Sequence, residues 1–300
     1  MGELNNQYHT PDELLKMRKT SRVGEIWRRF KQNRMALAGL IILVIIILVA
    51  IFADQLVDYK TQVIKISLPN RFKGPSARNW LGTDELGRDI LARLIYGARV
   101  SLSVGIVAVS FSLLIGGTLG AVAGYYGGVV ENLIMRFSDI LQAIPHLLLA
   151  ITIVSAFGQS MPVLMIAVGI SSIPAYIRIV RASTLTIKDQ EYIEAARCLG
   201  ARDWQIIARH IINNCMAPII VEATLRTAAA ILSTSSMSFL GLGVKAPTPE
   251  WGAIMSGGRA YLRDAWHITL FPGLTIMITI LALNLMGDGL RDALDPKLKR

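Results

Sequence analysis

Apolar runs, each near the length that crosses a bilayer, alternate along the chain with charged or Gly/Pro-rich stretches. A hydrocarbon core about 30 Å thick takes roughly 20 helical residues. Runs of that size extend from Met35 to Ala53, Val100 to Gly124, Ile140 to Gly158, Pro162 to Ile179, Pro218 to Leu240 and Ile268 to Met286. They predict an all-α membrane protein with six transmembrane helices. Gly116, Gly120, Gly124 and Gly128 recur every fourth residue, which predicts one small-residue face for close helix packing along the second span. A substrate-path role for that face is the alternative, but glycine offers no recognition chemistry. Pro145, Pro174 and Pro272 fall at span ends or inside spans, as kinks or boundaries.

Charge orients this ladder. Arg28, Arg29, Lys31 and Arg34 crowd the entry to the first span, and its far side meets Asp54 before any cation. The N-terminus is therefore expected in the cytoplasm. Counting crossings puts the connection between spans four and five on the same side, with Arg178, Arg181, Lys188, Arg197, Arg202 and Arg209. The C-terminus follows, with Lys297, Lys299 and Arg300. The segment from Asp54 to Arg99 is rich in cations yet falls outside, against the rule. The expected organisation is a cytoplasmic segment 1–34, an anchor helix 35–53 and an extracytoplasmic segment 54–99. A core domain 100–289 follows, holding a cytoplasmic loop 182–214, and then a tail 290–300.

Composition agrees with a lipid solvent: 53% of residues are apolar and 17% charged. No signal-peptide pattern precedes the first span, which is expected to stay as an anchor. The net charge of +10 is explained by membrane topology, so nucleic acid is not an expected partner. Cys198 and Cys215 fit neither a disulfide framework nor a metal cluster, and His146 and His267 have no neighbours that would make a metal site.

Residues 189–214, DQEYIEAARCLGARDWQIIARHIINN, are too polar to span and too patterned for a passive linker. Asp189, Glu191 and Glu194 favour a helix start, and Gly200 supplies the left-handed stop. Asp203 begins a second helix, with Trp204, Ile207, Ala208 and Ile211 as its inner stripe. Ala195, Ala196 and Gly200 leave the first helix open to close approach. The residues alone allow two readings, a docking element or an interfacial helix pair that connects two spans.

Glu194-Ala195-Ala196 followed by Gly200 resembles the EAA loop of bacterial ABC importer permeases. A proline usually closes that pattern, and Asn213 stands in its place. Three further stretches resemble the second permease subunit of the peptide and nickel branch: Trp80 to Asp89, which includes Gly82, Thr83, Asp84, Gly87, Arg88 and Asp89; Ser238 to Gly243 with Pro247 to Gly252; and Gly287 to Asp292 through Asp295-Pro296. In the second of these, Thr234 holds the place of a usual preceding glutamate. Physically, Thr83 or Asp84 is expected to cap a helix running through Leu91, Leu94 and Ile95.

The resemblance implies a type I ABC importer permease fold in the bacterial cytoplasmic membrane. It also implies an ATPase-coupling helix containing Glu194, Ala195, Ala196, Leu199, Gly200 and Asp203. The implied partners are a second permease chain, two ATP-binding subunits that hold the ATP and Mg, and an extracytoplasmic binding protein. The sequence contains no phosphate loop, so ATP hydrolysis is assigned to separate chains, with no cofactor on this one. Glu222 and Arg226 share a face of the fifth span. They are read either as lining a translocation path or, preferentially, as neutralising each other. The expected cargo is di- or oligopeptides, with glutathione-type peptides and nickel complexes as alternatives. An ion-driven transporter would need more intramembrane charge, and a membrane enzyme would need a clustered catalytic set that is not seen.

Overall fold

The computed structural model describes residues 22–294, so Lys297, Lys299, Arg300 and the Asp295-Pro296 pair lie outside the described residues. The main helices are α1 (Arg22–Gln32), α2 (Arg34–Ile51), α3 (Ile90–Tyr126), α4 (Gly128–Ala143), α5 (His146–Phe157), α6 (Met161–Ile187), α7 (Glu191–Cys198), α8 (Met216–Phe239), α9 (Trp251–Gly257) and α10 (His267–Leu294). Five of them, α2, α3, α6, α8 and α10, are each long and apolar enough to cross a membrane.

The expected third span, Ile140 to Gly158, is not one straight helix. It is split between α4 and α5, which bend by 84°. Ile144 is extended and Pro145 precedes the first turn of α5. Proline pushes the residue before it out of the helical region, which ends α4 there.

Helix directions follow from the contacts. Gly116, Gly120 and Gly124 of α3 meet Ile173, Ile177 and Thr184 of α6 in the same order, so these two helices run parallel. Ser112 adds a hydrogen bond to the Gly169 carbonyl at 2.7 Å. In contrast, Gly105 faces Ile231 and Ala121 clusters with Ile219, which makes α8 antiparallel to α3. Gly289 abuts Ala36 while Gly39 abuts Ala282, so α2 and α10 are also antiparallel. One end of the bundle therefore collects the start of α2, the ends of α3, α6 and α10, and the start of α8. Because α3 and α6 run parallel, α4 and α5 together must return the chain to the far end. The bundle thus has six crossings.

The small-residue face packs as expected at three positions. A Cβ on Gly116 or Gly120 would lie 2.7 or 2.6 Å from a backbone carbonyl oxygen of α6, and one on Gly124 would lie 2.6 Å from Thr184 Cβ. Gly128 departs from the stripe. It opens α4 with a φ of +54° and nothing near its missing Cβ, because the α3 helix has already ended at Tyr126.

Residues 53–89 and 240–266 cover the far end. Their core is Trp251, fully buried, whose indole N–H donates to the Leu94 carbonyl at 3.0 Å. Glu250, also fully buried, caps α9 by accepting from the Gly252 and Ala253 amides at 3.0 and 2.8 Å. Thr234, in the family's glutamate position, is buried, and its hydroxyl has no partner among the described residues.

Candidate coupling and translocation site

At the end of the bundle where α6 stops, α7 carries Glu191 and Glu194 in its first turn, where their charge complements the helix dipole. Gly200 follows with a φ of +81°, the left-handed stop a side chain would resist. Inside, α7 is anchored by Ile193, which is fully buried with Val180, Ile187 and Ile219. Outward it presents Glu194, Ala195, Leu199 and Gly200, with Ala196 half-buried. Leu199 is 88% exposed, a large apolar side chain offered to whatever lies beyond.

The second helix of the loop differs from the expected stripe. Its middle, Ile206–Ile211, is a π-helix, whose wider turn brings residues five apart into register. Ile206 and Ile211 are buried, joined by Cys215, while Trp204 is 61% exposed and Ala208 also faces out. The inner face is thus shifted from the Trp204, Ile207, Ala208 and Ile211 pattern of an ordinary α-helix. Asp203 is the first residue of this helix. Its Oδ1 accepts from the Tyr125 hydroxyl at 2.7 Å, and the Arg197 guanidinium stands 5.2 Å from the centre of the Tyr125 ring. The end of α3 and both arms of the loop are thereby tied at one tyrosine. Sequence reasoning missed Tyr125, because its partners lie far along the chain and no local period marks it. At the proline position of the EAA pattern, the Asn213 side-chain amide donates to the Arg209 carbonyl at 2.9 Å, and helix continues to Asn214.

Glu222 and Arg226 form the expected ion pair on α8, with Nε to Oε1 at 2.6 Å. Glu222 is largely covered and Arg226 is more open. The glutamate borders a 420 Å³ cavity with Ile179, Pro218, Leu225 and Arg291, close to the end of the bundle that carries α7. Two more ion pairs hold α4 on α6: Arg181 with Glu131, and Arg178 with Asp139 at 2.8 Å.

At the far end, the Trp80 to Asp89 stretch forms a knot. Here the helix cap is Asp89, which accepts from the Ala92 amide at 3.0 Å, and neither Thr83 nor Asp84 takes that role. The reason is burial. Asp84 is fully buried and accepts from the amides of Leu86 and Arg88, from Arg88 Nε at 2.7 Å and from Arg93. Thr83 spends its hydroxyl on residues 70 and 73. Gly82 and Gly87 have φ values of +82° and +74°, and a Cβ on Gly87 would overlap the Ser67 carbonyl. His267 is buried, with Nε2 3.2 Å from the Thr83 carbonyl oxygen. His146 is exposed at the start of α5.

The fold resembles that in inward-facing structures of the MetNI methionine ABC transporter, with a TM-score of 0.56, 18% identity, and coverage of 68% of this chain and 96% of that one. That likeness shows a type I ABC importer permease fold. Residues 116–300 match the model of the binding-protein-dependent transport system inner membrane component, and residues 21–75 match the N-terminal TM domain of oligopeptide transport permease C. Over 275 residues, 92% of this chain and 90% of the relative, identity is 46% to the dipeptide transport system permease protein DppC of Alkalihalophilus pseudofirmus. The glutathione transport system permease protein GsiD of Pectobacterium atrosepticum is 45% identical over 92% of this chain and 91% of its own. The di/tripeptide transport system permease protein DppC of Pseudomonas aeruginosa is 43% identical over 99% of each chain. The molecule is thus a multi-pass inner-membrane protein of the importer-permease class. The chain belongs to the binding-protein-dependent transport system inner membrane component family, the permease branch of the ABC importers.

Proposed function

We propose that this chain forms one half of the pore of an ATP-driven importer of di- or oligopeptides, and that α7 with Leu199 transmits the power stroke. The observation that carries the coupling assignment is the exposed Glu194–Gly200 surface on a helix tightly anchored at Ile193. The peptide class is supported by the dipeptide and di/tripeptide relatives, and the glutathione relatives fit the same class, since glutathione is itself a peptide. The end holding α7 is the cytoplasmic one. In its favour, Arg28, Arg29, Lys31 and Arg34 gather at the same end as the cations of the loop, as the positive-inside rule requires. Both termini are then cytoplasmic.

In this reading a second homologous permease chain completes the pore, and one of two ATP-binding subunits docks on α7. An extracytoplasmic binding protein delivers cargo at the far end. This chain hydrolyses no ATP and binds no cofactor, and ATP and Mg sit on the partner subunits. Closure of the ATPase pair moves Ala195, Ala196 and Gly200. Motion passes through Ile193 and the Tyr125–Asp203 tie into α3 and α6, and the spans alternate between inward- and outward-facing states. Glu222 and Arg226 neutralise each other beside the path. The experiment is purification of the tagged chain from its host membrane, followed by peptide uptake in proteoliposomes. Co-purifying ATPase chains and ATP-dependent uptake are expected. Uptake by this chain alone, driven by an ion gradient, would overturn the reading.

A further inference from the structure

The segment between α2 and α3 holds a polar cleft of 260 Å³ lined by Lys65, Asn70, Arg78, Asn79, Arg88 and Asp89 among others. The cations of this segment and of the first turns of α3 are not alike. Arg93 is neutralised by Asp84, and Arg99 pairs with Asp54 at 2.9 Å while donating to two carbonyls at the end of α2. Lys65 and Arg78 line the cleft and make no ion pair among the described residues. Arg88 lines the same cleft and is only 5% exposed. Its Nε and Nη2 are committed to Asp84 and Glu85 at 2.7 and 3.0 Å, and Nη1 has no partner among the described residues.

The cleft's own carboxylate offsets one of these charges and no more: Asp89 is held in place by the Ala92 amide at 3.0 Å and the Asn79 amide at 2.6 Å, and Lys65 and Arg78 together exceed it. A fixed guanidinium with Nη1 left over and two cations without ion pairs among the described residues make a recess suited to an oxyanion. Sites for whole small molecules usually run about 300–1,000 Å³, and this one is smaller. It fits a single group at the tip of something larger.

We infer that this cleft receives one carboxylate from an acidic protein segment docking on the end of the bundle opposite α7. The inference stands independently of the cargo and of the coupling assignment. The test uses the whole purified complex in nanodiscs of zwitterionic lipid. Two probes are compared by ligand-observed NMR: N-acetylglutamate amide, with one side-chain carboxylate, and its isosteric glutamine counterpart. Saturable binding of the glutamate probe alone is expected, weakening as salt rises. Lys65→Gln with Arg78→Gln, both exposed positions, is expected to weaken it at least about tenfold. Lys60→Gln with Arg71→Gln, which removes equal charge outside the cleft lining, leaves it unchanged. Equal binding of both probes, wild-type affinity in the Lys65/Arg78 variant, or binding of inorganic phosphate but not of the glutamate probe would each overturn the inference.

Discussion

Among single residues, glycines and a buried aspartate carry the sharpest consequences. Gly120 and Gly117 are near neighbours on one helix, yet a Cβ on Gly120 meets the Ile177 carbonyl at 2.6 Å and one on Gly117 meets only the end of Leu113, at 3.3 Å. Gly120→Val should cost about 1–3 kcal/mol or more, because backbone cannot move aside as a side chain can. Gly117→Ala should be neutral or gain up to about 1 kcal/mol from reduced chain entropy. Thermal melts of the two variants in detergent check this contrast. Asp84→Asn should cost about 3–5 kcal/mol, since it leaves Arg93 buried without its counter-charge and Arg88 with Glu85 alone. A melting temperature within a degree or two of wild type would show that the knot is not holding the far end together.

The elements differ in how far local pattern could reveal them. Spans α2, α6, α8 and α10 follow from runs of apolar residues, because a helix in lipid satisfies its backbone internally and needs only length. The α4–α5 pair escaped that reasoning. Hydropathy counts residues through Pro145 and cannot see that direction changes there. The inner stripe of the loop departs from α-helical spacing for a related reason: a π-turn shifts the facing residues, and its presence depends on packing by Ile206 and Ile211 against α6 and α8. Propensity offers Thr83 or Asp84 as the cap of α3, because it cannot tell a surface acid from one captured by distant arginines. By contrast, the stop at Gly200 was legible, since few residues other than glycine adopt its backbone conformation readily.

The coupling loop also offers a built-in probe. Cys198 is exposed on α7 while Cys215 is buried below it, where burial pushes its thiol pKa up. A polar maleimide added to the folded protein should label Cys198 and spare Cys215, and bound ATPase chains should protect Cys198. Equal labelling of both thiols would contradict the packing of the loop against α3 and α6.

For the whole molecule, the parallel run of α3 and α6 decides the number of crossings. It brings the first-span cations and the loop cations to one end, a fact that neither the hydropathy nor the charge count contains alone. In the cation-rich stretch 54–99, Arg88, Arg93 and Arg99 are paired with acids, which lowers its effective charge without removing it. The residues of the EAA resemblance lie on the exposed side of α7. What no local reading supplied was its connection to the spans through Tyr125, Asp203 and Arg197, which are brought together by the fold.

The central claim is that α7 couples ATP hydrolysis on other chains to movement of these spans. Its most direct test is peptide-stimulated ATPase activity of the reconstituted complex carrying Glu194→Lys together with Gly200→Leu. The account predicts that the complex still assembles in the membrane and that stimulation by peptide-loaded binding protein is lost. Stimulation equal to wild type in a complex of unchanged composition would contradict it.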